Sequence, residues 1–504
     1  MHKAAIILII LFALVFSFQD FLVQPAYWFD EAITIEIARN FYLFGELDIL
    51  TAPGVFSGVP YIAGTNGYPL TILLAAFFRV AGYGLLQARL FMLVWLAVCL
   101  ITIYVITRKM FGIAEAIIAL LLIATFASLY GNGLTATGEL LGFFFFLLAL
   151  YMISQKMDYV MGGVFSGLAM AAKPGVFLFL AHAVFLFIIL CERDSRVKSM
   201  ARYALGCVPP IMLWILLAFP FTKDTFFSTM IYALNPLDIP ILRNLFDAAP
   251  ITNLNKDLII PSSEGALSNI YNNLLLLITH STGIYFMLIA AVVLAAYVLT
   301  RNQLSPEQKR FFQLSLLYGA FAIAYFVRGP GWIRYLFGFQ ILFLMLLYPS
   351  LQGVLRSIQE RLAPRLQSVS MMSILCIIVL AAGQLYHLMY LSNIPRSRAV
   401  LDAVSFVQTR MGENKELSVG LVNVPEVAVF SDPARTYHMV WLQRTMSPFG
   451  RHIFENKNRP GLVLTDGKNF LLGKEGEEVL KNEYKEIEKF GRYHAYELAI
   501  NITP

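Results

Sequence analysis

Charge is what this 504-residue chain has least of. Asp, Glu, Lys and Arg make up 14% of it, while hydrophobic residues make up 58%. Soluble globular chains usually carry about 25% charged residues, so the composition excludes an ordinary soluble protein. Cysteine is also scarce. Cys99, Cys191, Cys207 and Cys376 all lie inside or at the ends of apolar segments, and none has a CxxC partner. A disulfide framework and a cysteine zinc site are both excluded. There is no tandem repeat, phosphate-loop motif or metal signature. The net charge of +6 is accounted for by basic flanks of apolar runs and gives no reason to invoke nucleic acid.

What the chain has instead is long apolar runs. A membrane-spanning helix needs about 20 apolar residues. The pattern predicts eleven spans, near 4–22, 86–107, 113–130, 136–154, 159–172, 175–190, 203–221, 281–300, 311–327, 334–351 and 370–391. The 41 Phe and 24 Tyr suit lipid-facing helices with aromatic belts. Residues 1–22 read as a retained first helix rather than a signal peptide, because no small-x-small site precedes Gln24-Pro25. The segments 159–172 and 175–190 are divided by Lys173-Pro174-Gly175. Basic residues flank both ends of that unit, so it is expected to cross twice and turn at Lys173.

With eleven spans and a cytoplasmic N-terminus, the short inner loops are almost uniformly basic, from Arg108-Lys109 to Arg365. The long segments 23–85 and 222–280 then lie outside. So does the C-terminal region, where 29 of the 70 charged residues fall within 392–504. The expected architecture is a polytopic α-helical membrane domain over 1–391 and a small extracytoplasmic α/β domain over 392–504, in a multi-pass protein of the cell membrane. In the C-terminal domain, 397–411 and 475–489 look helical, and 417–422 and 461–465 look like strands. Residues 31–44 place Ile33, Ile37, Phe41 and Phe44 at helical spacing, as in an amphipathic helix lying at the interface, with Glu36 on its wet face. Residues 69–81 form an apolar helix too short to span, and 51–68, rich in Gly and Pro, is expected to loop over the site.

This topology gathers ionisable residues at the outer ends of the spans: Asp30, Glu31, Arg89, Glu139, Lys173, Arg328 and Arg334. Carboxylates at a membrane edge are costly unless they face water, protein or substrate. A carboxylate can serve an acceptor hydroxyl as general base. Fixed positive charge suits a phosphate leaving group, with Arg as a planar fork and Lys as a point charge. Tyr27, Trp28, Trp332 and Tyr335 could stack on sugar faces or line the lipid boundary. Plainer roles stand beside these. Asp30-Glu31 also suits a helix N-cap, Arg89 and Lys173 also suit snorkelling, and Glu139 and Arg334 also suit structural ion pairs. His182, His280 and His387 carry no pattern of their own.

The order of these elements resembles a known family. Asp30-Glu31 follows the first span, then an amphipathic helix, then Gly67-Tyr68-Pro69-Leu70. Next comes Gln87-Ala88-Arg89-Leu90, opening a span that closes at Arg108-Lys109-Met110-Phe111-Gly112. Leu134-Thr135-Ala136-Thr137-Gly138-Glu139, Ala172-Lys173-Pro174 and Arg334-Tyr335-Leu336 follow. Residues 1–350 are similar to the GT-C superfamily of integral-membrane glycosyltransferases, in particular to the dolichyl-phosphate-mannose protein mannosyltransferase and aminoarabinose transferase-like group. The resemblance implies a polyprenyl-phosphate-linked monosaccharide as donor and an inverting transfer on the extracytoplasmic face, to a lipid, glycan or protein acceptor. It makes Asp30 the base, with Glu31 supporting it or touching the acceptor. Arg89, Lys173 and Arg334 would hold the donor phosphate, and Glu139 and Tyr335 would support them. No cofactor is demanded, though some members of the superfamily use a divalent metal. Gly138 departs from the longer polar residue of many relatives. The alternatives are a lipid or glycan transporter, and a noncatalytic glycan-binding membrane protein.

Overall fold

The computed structural model describes residues 2–19, 21–58, 67–192, 195–218, 263–329, 331–362, 369–394, 397–439, 459–467 and 472–499. Parts of two expected outer segments, 59–66 and 219–262, lie outside this set.

All eleven apolar segments contain helix. Among the described residues, eight helical stretches are long and apolar enough to cross a membrane: Leu85–Met110, Glu139–Lys156, Pro174–Cys191, Arg196–Leu217, Ser281–Thr300, Pro306–Arg328, Ile333–Glu360 and Met371–Ser392. The expected span at 113–130 is instead a pair, Ile113–Ala124 and Ala127–Gly133, bent by 68°. His2–Phe18 and Tyr159–Ala172 are shorter apolar helices, as is Tyr68–Ala81. The last of these is the short helix foreseen after Pro69, which occupies its first turn, where a missing N–H costs nothing.

In chain order, α1 is His2–Phe18 and α2 is Phe29–Phe44. The hairpin β1 (Leu50–Ala52) and β2 (Val55–Phe56) follows, then α3 (Tyr68–Ala81), α4 (Leu85–Met110), α5 (Ile113–Ala124), α6 (Ala127–Gly133), α7 (Glu139–Tyr151), α8 (Tyr159–Ala172) and α9 (Pro174–Cys191). Lys173 breaks α8 from α9 at φ −152°, ψ 87°, the extended region to which a residue before proline is confined.

α2 corrects the sequence reading. It is not half-solvated at an interface but covered on all sides from Glu31 to Asn40. Ile33 and Ile37 pack with Leu47, Ile49, Tyr68, Ala171 and Trp214, while Ala32, Ile35 and Ala38 enter the main membrane core. Glu36, expected on the wet face, is 1% exposed.

The C-terminal region covers it. There α10 is Ala399–Glu413, β3 Val419–Val422, α11 Pro425–Ala428, β4 Thr436–Met439, β5 Leu462–Thr465, α12 Gly473–Glu483, β6 Tyr484–Phe490 and β7 Tyr493–Leu498. The strands form one sheet in the order β4-β3-β5-β7-β6, parallel across β4, β3 and β5 and antiparallel at β5-β7-β6. β3 and β5 are buried along their whole length, as their unbroken apolar runs require. α10 supplies Ala403, Val404, Val407 and Met411 to one face, and Leu480 of α12 packs on the other. The expected helix over 475–489 holds only as far as Glu483. From Tyr484 the chain is strand, where Ile487 and Phe490 sit among alternating charges that suit an edge strand.

Candidate active site

Asp30 and Glu31 lie in the first turn of α2, where the helix dipole favours negative charge. Neither is the cap: that residue is Trp28, and no side chain caps the helix. Consecutive helical residues point about 100° apart, and here the two carboxylates go to different partners.

Glu31 points inward. Arg89 of α4 donates Nε to its Oε1 at 3.2 Å and Nη2 to its Oε2 at 3.0 Å. The same guanidinium donates Nη1 to the Phe21 carbonyl at 2.7 Å and Nη2 to the Pro25 carbonyl at 2.7 Å. Neither side chain has any exposed surface. The backbone N–H of Ala136 adds a contact of 3.4 Å to Glu31 Oε1. Arg89 was expected at a donor phosphate. In this geometry its fork is spent inside the protein, tying α2, α4 and the chain before α2 together.

Asp30 points outward. Its Oδ2 lies 3.0 Å from Arg334 Nη2, and both side chains keep about a fifth of their surface, 22% and 17%. Arg334 stands in an aromatic frame, its Cζ 4.4 Å from the Trp28 ring, 4.7 Å from Trp332 and 5.5 Å from Tyr335. Such faces hold a guanidinium in place. Its Nη1 is buried and has no hydrogen-bond partner among the described residues. Tyr335 also packs on Gly175, just past the Lys173 turn.

The third pair joins Lys173 and Glu139, Nζ to Oε1 at 3.7 Å, with side chains 5% and 1% exposed. Glu139 Oε2 has no hydrogen-bond partner among the described residues. Gly138, at φ +89°, takes the left-handed conformation that a larger side chain resists, which accounts for glycine before Glu139. On the other side of Lys173, a Cβ on Gly67 would lie 1.5 Å from the Ala171 carbonyl oxygen. Only glycine lets the start of α3 meet the end of α8.

Asp30, Glu139, Lys173 and Arg334 are near enough to act on one another's charge, so they form one cluster. Glu31 and Arg89 lie beneath Asp30 as a sealed pair. Tyr27, read as a sugar or boundary aromatic, is instead buried against Phe430 of the C-terminal region, ring centroids 5.8 Å apart. Burial raises its phenol well above the ordinary range. His280 caps the helix Ser281–Thr300 through the Thr282 N–H, and His182 contacts its own helix at the Leu178 carbonyl. Among the described residues, no three His, Cys, Asp or Glu side chains converge as metal ligands would. The cluster's carboxylates face cations instead.

The fold is that of the GT-C glycosyltransferases. It matches ArnT from Cupriavidus metallidurans bound to undecaprenyl phosphate, with a TM-score of 0.60 and 13% identity, over 98% of each chain. It also matches the oligosaccharyltransferase AglB from Archaeoglobus fulgidus in complex with an inhibitory peptide and a dolichol-phosphate, with a TM-score of 0.55 and 11% identity, over all of this chain and 75% of that one. Within the sequence, residues 69–219 match the family model for dolichyl-phosphate-mannose-protein mannosyltransferase. The resemblance to the GT-C, protein-mannosyltransferase-like group therefore holds. In fold it runs past residue 350 into the C-terminal sheet. No curated protein sequence matches the chain.

Proposed function

We propose that this chain is a polyprenyl-phosphate-dependent glycosyltransferase that inverts the sugar's anomeric centre. The observation that carries the reading is the Asp30–Arg334 pair: a carboxylate and a guanidinium joined at 3.0 Å, both partly open, above charges that are otherwise sealed. The donor phosphate is assigned to Arg334, whose buried Nη1 lacks a partner, with Lys173 beside it. Arg89 is reassigned from phosphate binding to holding Glu31.

The donor phosphate and Asp30 then compete for one guanidinium. When the phosphate takes Arg334, the Asp30 carboxylate is released toward the acceptor hydroxyl. The acceptor oxygen attacks the anomeric carbon and its proton passes to Asp30. The bond from that carbon to the phosphate oxygen breaks, and its electron pair stays on the polyprenyl phosphate beside Arg334 and Lys173. That leaving group is already ionised, so no general acid is needed. Glu139 holds Lys173, and Tyr335 helps frame Arg334. In this reading the chain is a multi-pass protein of the cell membrane with a cytoplasmic N-terminus, and transfer occurs on the extracytoplasmic face.

The test is transfer of label from polyprenyl-phosphate sugars into membrane lipid, glycan and protein fractions by the purified chain in liposomes. Label should reach one fraction, and only with the intact Asp30. Transfer that survives Asp30→Asn in full would remove the base. Vesicle uptake of glycolipid without transfer would point to a transporter, and glycan binding with neither would point to a noncatalytic role.

A further inference from the structure

The far half of α2 meets a second set of buried charges that the proposed reaction does not use. Arg39, 1% exposed, donates Nη1 to the carbonyls of Ala428 and Val429 at 2.9 Å each, at the end of α11 in the C-terminal region. Its Nε and Nη2 go to Asn40 Oδ1 at 3.2 and 3.1 Å. Glu36 accepts the Leu50 N–H on Oε1 at 3.1 Å. Its Oε2 faces Nδ1 of His438, on β4, at 3.6 Å, with both side chains 98% or more buried.

This set is incomplete. Among the described residues, Glu36 Oε2, Glu426 Oε2 and both ring nitrogens of His438 are buried without a hydrogen-bond partner. Buried polar atoms in native proteins are nearly always paired. The charged groups facing His438 can be taken element by element. α2 brings Glu36 and, 3.8 Å from Glu36, Arg39. α11 brings Glu426, which feels the charge of His438. The loop before β1 brings Asp48, which feels Glu36. Tyr27 feels both glutamates. β1 and β3 bring no charged residue. Glu426 is also met by the more exposed Arg492 at 2.9 Å. Of these three buried carboxyl groups only Glu36 has Arg39 within 4 Å, and that guanidinium is already committed to carbonyls. A proton on His438 would give the idle Oε2 of Glu36 a cationic partner 3.6 Å away and would add positive charge within reach of Glu426.

We propose that His438 is a positioning residue for the acidic pair of α2, and that its protonated form locks the C-terminal region onto that helix. The mechanical link is short. Glu36 stands six residues, about 9 Å, along the helix from Asp30. Phe430 holds Tyr27, three residues before Asp30, from the other side. The docked C-terminal region therefore grips the Asp30 segment at both ends.

The test uses the full chain in nanodiscs. Backbone hydrogen exchange of 36–50 and 425–439, corrected for intrinsic rates, is followed from about pH 6.5 to 8.5, above the range in which Asp48 loses its proton. Protection should fall as pH rises in the wild type and become pH-independent in both His438→Gln and Glu36→Gln. This arm needs no substrate, so it stands or fails separately from the glycosyltransferase reading on which the kinetic arm rests. In the kinetic arm, His438→Gln should flatten the pH profile of kcat and leave the donor KM unchanged. A wild type with flat protection, or a His438→Gln chain that keeps the pH dependence, would overturn the proposal. So would a loss of kcat equal at every pH, which is what a packing role would give. If His438→Gln does not fold, the comparison of wild type with Glu36→Gln decides.

Discussion

Asp30 and Glu31 are neighbours of the same chemistry with opposite surroundings. Glu31 has no exposed surface and is held by two nitrogens of Arg89, itself anchored to two carbonyls. Asp30 is partly open, and its partner Arg334 has a nitrogen to spare. A buried pair whose partners are all satisfied can only be broken at a cost, so it suits a support. An open pair that can exchange one partner for a ligand suits chemistry. One helical residue step, with its 100° rotation, separates the two roles.

The sharpest way to break this comparison is to remove one member of each pair and read stability and transfer separately. Asp30→Asn should leave melting of the detergent-purified chain within about 1 kcal/mol of wild type, since partly exposed ion pairs contribute little. Transfer should fall about 10²- to 10⁴-fold, the usual worth of a general base. Arg89→Ala should do the reverse. It leaves Glu31 buried without its cation, which costs about 3–5 kcal/mol, and the folded yield should collapse before any rate can be measured. If Arg89→Ala folds normally and only donor use suffers, Arg89 is a phosphate ligand after all and the two pairs are not different in kind.

Asp48 sharpens the comparison from another side, because it is a buried carboxylate with no cation beside it among the described residues. The hydroxyl of Ser57 and the backbone N–H groups of Ile49 and Gly58 donate to it at 2.6, 2.7 and 2.7 Å. Burial still outweighs them and lifts its pKa from 3.8 to about 6. A carboxyl raised in the folded state binds its proton more tightly there than in the unfolded chain. Stability from this group is therefore full below about pH 4 and is lost as pH rises to about 6, a swing on the order of 3 kcal/mol. It is flat above that. Thermal melts of wild type against Asp48→Asn should show this slope in the difference curve. A difference curve that rises with pH would mean that the three donors outweigh burial.

Much of the cluster was legible in the sequence, and the reason is positional. Asp30, Glu139, Lys173 and Arg334 each stand where an apolar run ends, so the ends of the spans bring them together. Their pairing was less legible. That Arg89 turns inward depends on the bend of residues 21–25, which offers two carbonyls and leaves no trace in hydropathy. The second charged set was not legible at all. Glu36 and Arg39 look like the wet face of an amphipathic helix, because helical periodicity cannot know that a domain almost 400 residues later covers it. His438 gave no signal, sitting in a short strand with nothing unusual beside it. In the same way, 475–489 read as one charged helix because edge strands and solvated helices carry similar residues.

The smallest effect tests how open the outer pair is. Trp332 keeps 44% of its surface, and its ring lies 4.7 Å from the Arg334 guanidinium, against 4.4 Å for the less exposed Trp28. A cation–π contact at such an exposed site is worth about 0.5–1 kcal/mol, so Trp332→Ala should weaken the hold on Arg334 only two- to fivefold. The loss should appear in the donor KM, because the proposed reaction places the phosphate on Arg334. It should not appear in melting, because an exposed ring contributes little to the core. Trp28→Ala is the paired control. That residue is less exposed and stands at the start of α2, next to the Asp30 turn, so its loss should lower kcat and melting temperature together. If Trp332→Ala instead lowered kcat as steeply as Asp30→Asn with KM unchanged, the ring would be holding the reacting geometry itself. The open pair would then be as rigidly fixed as the sealed one beneath it.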